Sequence, residues 1–204
     1  MSVHVIKYLS QSDTRLKKVI RSLGVYSIKI RKDPFQSLVE SIIFQQLAGS
    51  AANTIYGRFI KYYDNVSASP QQIVSTPDSI FKSSIGLSSK KIEYIKDLSA
   101  RVIDGRVNLS ILPKLTDEEI VVQLTQVKGI GRWTAEMFLI FCLGRPDVLP
   151  VGDLGVRKAI QKIYSLEELP LPPTMLAIAQ PWKPYRSIAT WYLWKSLSKF
   201  NTIG

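Results

Sequence analysis

Apolar residues recur at intervals of three and four in segment after segment of this 204-residue chain, and that period is typical of amphipathic helices. The stretch DPFQSLVESIIFQQL offers Asp33 as an N-cap and Pro34 at the first helical position, with an apolar face that continues to Leu47. The stretch TDEEIVVQLTQV opens on Thr116 and has Glu119 three residues later, the spacing of a capping box. The chain is therefore expected to be rich in capped helices.

Two more stretches, SSKKIEYIKDLSARVI and PYRSIATWYLWKSLSKF, repeat this spacing, the second from a proline start. Little sustained strand-like alternation occurs in the sequence, and the turn signals SASPQQ, GRPDVLPVG and LPLPP separate the helical stretches. A hydrophobic content of 46% is enough for a sizeable core. The sequence predicts an all-α domain of eight to ten helices, without a long linker, a charge block or an internal repeat.

Several classes of protein are disfavoured by composition. With Cys142 as the only cysteine and His4 as the only histidine, the chain has no internal disulfide and no Cys/His cluster for zinc or iron–sulfur. A catalytic Ser-His or Cys-His pair would depend on a histidine at the terminus. No apolar run reaches membrane-spanning length and no signal peptide is evident, so we expect an intracellular protein, cytoplasmic or nucleoid-associated in a prokaryote and nuclear in a eukaryote.

The chain is strongly basic, with a formal net charge of +11 and an isoelectric point near 9.7. Only one acid, Asp13, accompanies the eight basic residues near the N-terminus: Lys7, Arg15, Lys17, Lys18, Arg21, Lys29, Arg31 and Lys32. Such a charge indicates a polyanionic partner, but a solvated basic surface, nucleic acid and an anionic membrane remain open on charge alone.

A pair of glycines, Gly129 and Gly131, interrupts two helical stretches in QVKGIGRWTA. Glycine costs about 1 kcal/mol relative to alanine inside a helix, so the pair indicates a tight turn. Such a turn exposes backbone N–H groups at the start of the next helix, where a phosphate can bind. A dinucleotide fingerprint does not fit, because the glycines follow a helix and Thr134 stands at the position of the third glycine. An ordinary corner between two helices is the alternative.

Four stretches in order, SIIFQQLAGSAANTI, LTQVKGIGRWTAEMF, VLPVGDLGVRKAI and PWKPYRSIATWYLW, resemble the helix-hairpin-helix superfamily of DNA glycosylases, in particular its 3-methyladenine DNA glycosylase II branch. The resemblance implies one all-α domain over residues 1–204, with two helical subdomains flanking an active-site cleft. The middle segment, about 45–145, would form one subdomain and the terminal segments the other. A monomer is expected, and because the chain begins close to the glycosylase core, we expect it to lack the N-terminal α/β domain of some relatives.

The resemblance also assigns residues that hold DNA. The hairpin would bind phosphate through Lys128, Gly129, Gly131 and Arg132, while Leu47 with Gln46 beside it would enter the minor groove as an apolar wedge. A monovalent cation would be held, when DNA is bound, by the carbonyls of Thr125, Val127 and Ile130; no other cofactor is expected. Holding the backbone suits a protein that must work on any sequence, because phosphate contacts carry no sequence information.

For the chemistry, the resemblance selects Asp153, which the sequence alone predicts as an N-cap. An anion there would stabilise an oxocarbenium-like transition state or orient the attacking water. Many relatives carry a second acid at the preceding position, where this chain has Gly152. Strand-cutting relatives have a Schiff-base lysine at the position of Trp133, so a glycosylase without lyase activity is implied.

The base pocket implied by the resemblance has Trp133 and Trp194 at family positions and Met137 and Phe44 as neighbours. Core packing is the alternative for Trp133, Met137 and Phe44. Aromatic faces favour a cationic alkylated purine by roughly 0.5–2 kcal/mol. The expected partner is double-stranded DNA with alkylated bases, and the expected reaction releases 3-methyladenine, 7-methylguanine and related bases after nucleotide flipping. A non-enzymatic protein of the same fold that binds abasic or damaged DNA is the alternative, and neither a lyase nor a membrane-binding protein is favoured.

Overall fold

The computed structural model describes residues 2–200, and no strand occurs among them. The all-α prediction is confirmed. Twelve α-helices are present in this range, ten of them of eight residues or more: α1 Ser2–Ser12, α2 Thr14–Leu23, α3 Pro34–Phe44, α4 Gly49–Tyr62, α5 Pro70–Ser75, α6 Asp78–Ile80, α7 Ser89–Ile103, α8 Asp117–Thr125, α9 Arg132–Phe141, α10 Leu154–Tyr164, α11 Pro172–Ala179 and α12 Arg186–Phe200. A π-helical turn, Phe81–Ile85, follows α6 directly.

The helix starts predicted at Asp33 and Thr116 are confirmed, but α12 begins at Arg186, two residues after the predicted proline start at Pro184. The Asp33 carboxylate accepts the amide of Gln36 at the start of α3, where Pro34 occupies the first helical position. At the start of α8, Thr116 and Glu119 form the reciprocal capping box. Each of these caps satisfies amides that have no partner within the helix.

Two further predictions of the helix boundaries are wrong. First, α3 ends at Phe44, so Gln46 and Leu47 lie in the following turn rather than on the helix face. Second, the prolines of SASPQQ and LPLPP, predicted as turns, begin the additional short helix α5 and the helix α11. Proline lacks an N–H that the first turn would leave unpaired in any case, so it starts a helix as readily as it marks a turn.

The described chain divides into two compact units. The first unit comprises residues 2–30 and 139–200, and its core surrounds the fully buried Trp182 and Tyr192. The second unit comprises residues 31–138, with Phe59 and Phe81 among its largest fully buried side chains. Asp153 belongs to the first unit and the glycine hairpin to the second.

None of the helices within residues 2–200 combines the length and the apolar character that crossing a bilayer requires.

Candidate nucleic-acid interface and active site

The glycine hairpin of the second unit connects α8 to α9 through residues 126–131. Gly129 has a φ of +80°, a left-handed conformation that side chains disfavour, and a Cβ added there would come within 2.1 Å of the Tyr94 ring. Gly131 has no positive φ, and a Cβ there would meet no atom within 4 Å. Only the first glycine of the pair is therefore required by the fold of the turn.

Three amides of the hairpin, those of Gly129, Gly131 and Arg132, have no acceptor within residues 2–200. All three residues are exposed. Arg132 begins α9, so its amide also lies at the positive end of a helix. Unpaired amides at a helix N-terminus can bind an anion such as a DNA phosphate.

Helix α7 holds the hairpin in this conformation. The Asp97 carboxylate accepts the Lys128 amide at 2.9 Å and the Arg101 side chain at 2.8 Å. Burial raises the pKa of Asp97, but these two hydrogen bonds and the nearby positive charges lower it more in sum, so the pKa lies below its ordinary value. The carboxylate is thus kept ionised while it fixes the turn.

The two hairpin cations are paired in the free protein. Lys128 Nζ lies 2.5 Å from a carboxylate oxygen of Glu93, and the Arg132 guanidinium lies 2.5 Å from Glu118 and 3.8 Å from Glu136. The Lys128 and Arg132 side chains are 56% and 55% exposed, so these ion pairs are weak. Both cations can exchange their carboxylate for a phosphate.

The carbonyls predicted to hold a cation lie at the same turn. The Val127 carbonyl accepts the Ile130 amide at 3.1 Å, which leaves its second lone pair for another partner. Proteins replace the hydration shell of potassium with backbone carbonyls, so the chemistry of Thr125, Val127 and Ile130 suits a monovalent ion. Among the described residues, no group of three or more His, Cys, Asp and Glu side chains could bind a metal ion.

The turn after α3 carries the predicted wedge. Gln46 has a φ of 56° and directs the chain out of the helix, and Leu47 is 36% exposed. At the base of this turn, Lys91 Nζ donates to the Ile43 carbonyl at 2.5 Å, which complements the negative end of α3. Burial lowers the pKa of Lys91.

The residues of the second unit that were predicted to line a base pocket lie on α9 and α3. Trp133 is 47% exposed and Met137 half-buried, and their spacing of four residues puts both on one face of α9. Phe44 is half-buried and packs edge-on against Tyr56, with ring centroids 5.8 Å apart. Trp133 is thus too exposed for a core residue, whereas Phe44 combines a packing role with partial exposure.

Asp153 and Trp194 come together in the first unit, although 41 positions separate them. Asp153 Oδ1 accepts the Val156 amide at 2.7 Å and Trp194 Nε1 at 3.0 Å. The predicted N-cap is confirmed, and the indole provides a second donor to the same oxygen. These bonds fix the direction of a half-buried carboxylate at the N-terminus of α10.

Two neighbours of this pair were not expected from the sequence. Phe141 stacks on Trp194 with ring centroids 5.8 Å apart and an interplanar angle of 25°. A Cβ added to Gly155 would lie 3.0 Å from Asp153 Oδ1 and 3.3 Å from Trp194 Cδ1. Of these two neighbours, Gly155 alone has a local signal in the sequence, namely the glycine two residues after the aspartate in GDLG.

Residues 39–184 match the family described as HhH-GPD superfamily base excision DNA repair protein, and the chain belongs to that superfamily. Over 194 residues, the chain is 34% identical to DNA-3-methyladenine glycosylase 1 of Schizosaccharomyces pombe. That alignment covers 93% of this chain and 85% of the relative.

Two solved structures share the fold. The DNA-3-methyladenine glycosidase of Bacillus halodurans superposes with a TM-score of 0.87 at 36% identity, covering 97% of this chain and 91% of its own. The 3-methyladenine DNA glycosylase of Schizosaccharomyces pombe in complex with abasic DNA gives a TM-score of 0.84 at 33% identity, covering 94% of this chain and 95% of its own.

Proposed function

We propose that this protein is a DNA glycosylase that releases alkylated purines, including 3-methyladenine and 7-methylguanine, by hydrolysis and without cutting the DNA strand. The observation that carries the proposal is the Asp153 carboxylate, oriented by the Val156 amide and by Trp194 at a helix N-terminus. Relatives of similar length bear the name DNA-3-methyladenine glycosylase, which supports the same reaction.

The reaction needs negative charge where positive charge develops. As the glycosidic bond breaks, the sugar becomes oxocarbenium-like and the base departs with the bonding electrons. Asp153 stabilises that cation or orients the water that attacks the anomeric carbon, and its hydrogen bonds hold the carboxylate in place before the reaction begins. A cationic alkylated purine leaves as a neutral base, so the site needs no strong general acid.

DNA is held by the backbone of the hairpin. The amides of Gly129, Gly131 and Arg132 bind phosphate, Lys128 and Arg132 add charge, and the hairpin carbonyls hold a monovalent cation. Leu47 and Gln46 fill the space left by the extruded nucleotide. Trp133, Trp194, Met137 and Phe44 contact the base, and Trp133 and Met137 do so from one face of α9. The protein acts as a monomer.

Trp133 carries the proposal that no strand cutting occurs. An indole nitrogen lacks the free lone pair with which a lysine amine attacks the sugar, so no Schiff base forms at this position. Water is then the nucleophile, and the product is an intact strand with an abasic site.

The test combines base release with strand analysis. Methylated duplex DNA is incubated with the protein, free bases are separated by chromatography, and strands are sized before and after hot alkali. We expect free methylated purine, with strand breaks only after alkali. Tight binding to an abasic analogue without any base release would instead make the protein a non-enzymatic binder, and a borohydride-trapped covalent adduct would overturn the hydrolytic mechanism.

A further inference from the structure

The side chain of Gln45 reaches the glycine hairpin from the end of α3, just before the turn that contains Gln46 and Leu47, which we call the wedge turn. Gln45 follows the last residue of α3, and its Nε2 donates to the Gly129 carbonyl at 2.8 Å across 84 positions of sequence. Gln46 and Leu47 come next in the chain, so this hydrogen bond joins the wedge turn directly to the turn that exposes the hairpin amides. Both turns belong to the second unit.

We propose that Gln45 is a positioning residue that couples the Leu47 wedge to the Gly129 hairpin, so that both engage DNA in one fixed relative geometry. The proposal rests on the function proposed above. It adds a role for a residue outside the predicted phosphate contacts and base pocket.

The surroundings of this hydrogen bond restrict both of its ends. Lys91 of α7 holds the Ile43 carbonyl two residues before Gln45, and the Tyr94 ring of the same helix lies against Gly129. Asp97, also on α7, accepts the neighbouring Lys128 amide. Helix α7 therefore supports the wedge turn and the hairpin separately. The Gln45 side chain connects the two turns to each other by a direct hydrogen bond.

Such a bond is useful because the two turns perform coupled tasks. If the hairpin were displaced relative to Leu47, it would still bind the DNA backbone, but Leu47 would not fill the space left by the extruded nucleotide. Ordering the turns before binding removes a cost that DNA binding would otherwise have to offset. The left-handed Gln46 makes this ordering necessary, since such a conformation persists only where neighbouring structure enforces it.

The test is a double-mutant cycle between Gln45→Met and Leu47→Ala. Methionine retains the length of glutamine and removes the donor. Dissociation constants are measured for a duplex with a tetrahydrofuran abasic analogue, and 2-aminopurine opposite the analogue reports wedge insertion by its fluorescence. We expect Gln45→Met to weaken binding about fivefold and to lower the fluorescence change, as loss of one hydrogen bond would. In the Leu47→Ala background, Gln45→Met should raise the dissociation constant less than twofold.

Gln71→Met is the matched control, because Gln71 is an exposed glutamine on α5 of the same unit. Gln45→Asn, which retains the amide but is too short to reach Gly129, provides a second disrupting variant if Gln45→Met lowers the unfolding temperature. The coupling would be overturned if Gln45→Met weakened binding by the same factor in the wild-type and Leu47→Ala proteins, or if it did not weaken binding at all. Absence of base release by the wild type would refute the glycosylase function instead, since this cycle needs binding alone.

Discussion

Gly129 and Gly131 lie two residues apart in the hairpin but differ in what a methyl group would meet. Gly129 combines a φ of +80° with the Tyr94 ring 2.1 Å from a Cβ position, whereas Gly131 has open space around it. The first glycine is a requirement of the fold, and the second leaves the backbone accessible to a ligand.

The two glycines should therefore respond oppositely to alanine. Gly129→Ala combines backbone strain with an aromatic clash, so we expect the free energy of unfolding to fall by about 1–3 kcal/mol. Gly131→Ala should be neutral or stabilising by up to about 1 kcal/mol because it restricts the unfolded chain. Its methyl group should nevertheless weaken DNA binding. Denaturant unfolding and DNA titration measure both effects, and equal loss of stability in the two variants would contradict this distinction.

Gly155, like Gly129, lies where an added side chain would meet a neighbouring group, in this case Asp153. Alanine there would place a methyl group 3.0 Å from the carboxylate oxygen and 3.3 Å from Trp194. The clash falls on the contact that orients the carboxylate, so a small substitution in α10 can test that orientation without removing the acid.

We expect Gly155→Ala to slow base release at least tenfold while stability changes by no more than about 1 kcal/mol, because the gain in helix propensity offsets part of the crowding. Gly57→Ala is the matched control, since Gly57 lies within α4 with no atom within 4 Å of a Cβ. Single-turnover kinetics of both variants decide the point. Unchanged kinetics in Gly155→Ala would show that the Trp194 contact does not set the carboxylate's direction.

At the scale of elements, helix α7 supports two turns of the second unit, the wedge turn after α3 and the glycine hairpin. Its side chains reach the end of α3 through Lys91 and the hairpin through Tyr94 and Asp97. The Asp97 contact depends on ionisation, because only the carboxylate accepts from both the Lys128 amide and Arg101.

The lowered pKa of Asp97 predicts a pH dependence of stability. A group whose pKa is lower in the folded than in the unfolded state stabilises the fold above its unfolded pKa of about 3.9, and that stabilisation disappears as the pH falls through the folded value. We expect wild-type stability to decline with acidification below about pH 4. Asp97→Asn should have lower stability at pH 7 and a shallower decline in acid. Parallel pH profiles of the two proteins would rule out this linkage.

Elements whose signals are local could be predicted from the sequence, and elements fixed by distant contacts could not. Asp33, Thr116 and Asp153 each cap a helix by bonding an amide three residues away, so their spacing alone reveals them. The end of α3 could not be predicted, because neither glycine nor proline marks it and Gln46 takes the left-handed conformation instead. The bond from Gln45 to Gly129 spans 84 positions, a separation that periodicity does not detect.

The same limit applies to the candidate site. The resemblance supplied Asp153 and Trp194 as separate residues, and only the fold of the first unit shows that the indole donates to the carboxylate. Phe141 and Gly155 complete that environment through packing, for which the sequence contains no distinctive spacing.

For the molecule as a whole, binding and chemistry are assigned to different groups. The formal net charge of +11 favours a polyanionic partner, and the exposed hairpin amides offer its phosphates a site that does not depend on base sequence. In the proposed function Asp153 serves the reaction, and its negative charge opposes the binding of a polyanion. Removing its charge should therefore separate the two activities.

The most direct measurement compares the wild-type chain with Asp153→Asn, recording release of 3-methyladenine and 7-methylguanine from methylated DNA together with affinity for an abasic duplex. Asparagine retains the size and the capping oxygen of aspartate but lacks the charge. We expect base release to fall by at least about a hundredfold, in keeping with loss of one preorganised electrostatic contact, while abasic-site affinity is retained or increased. Full base release by Asp153→Asn would contradict the assignment of this carboxylate to the reaction.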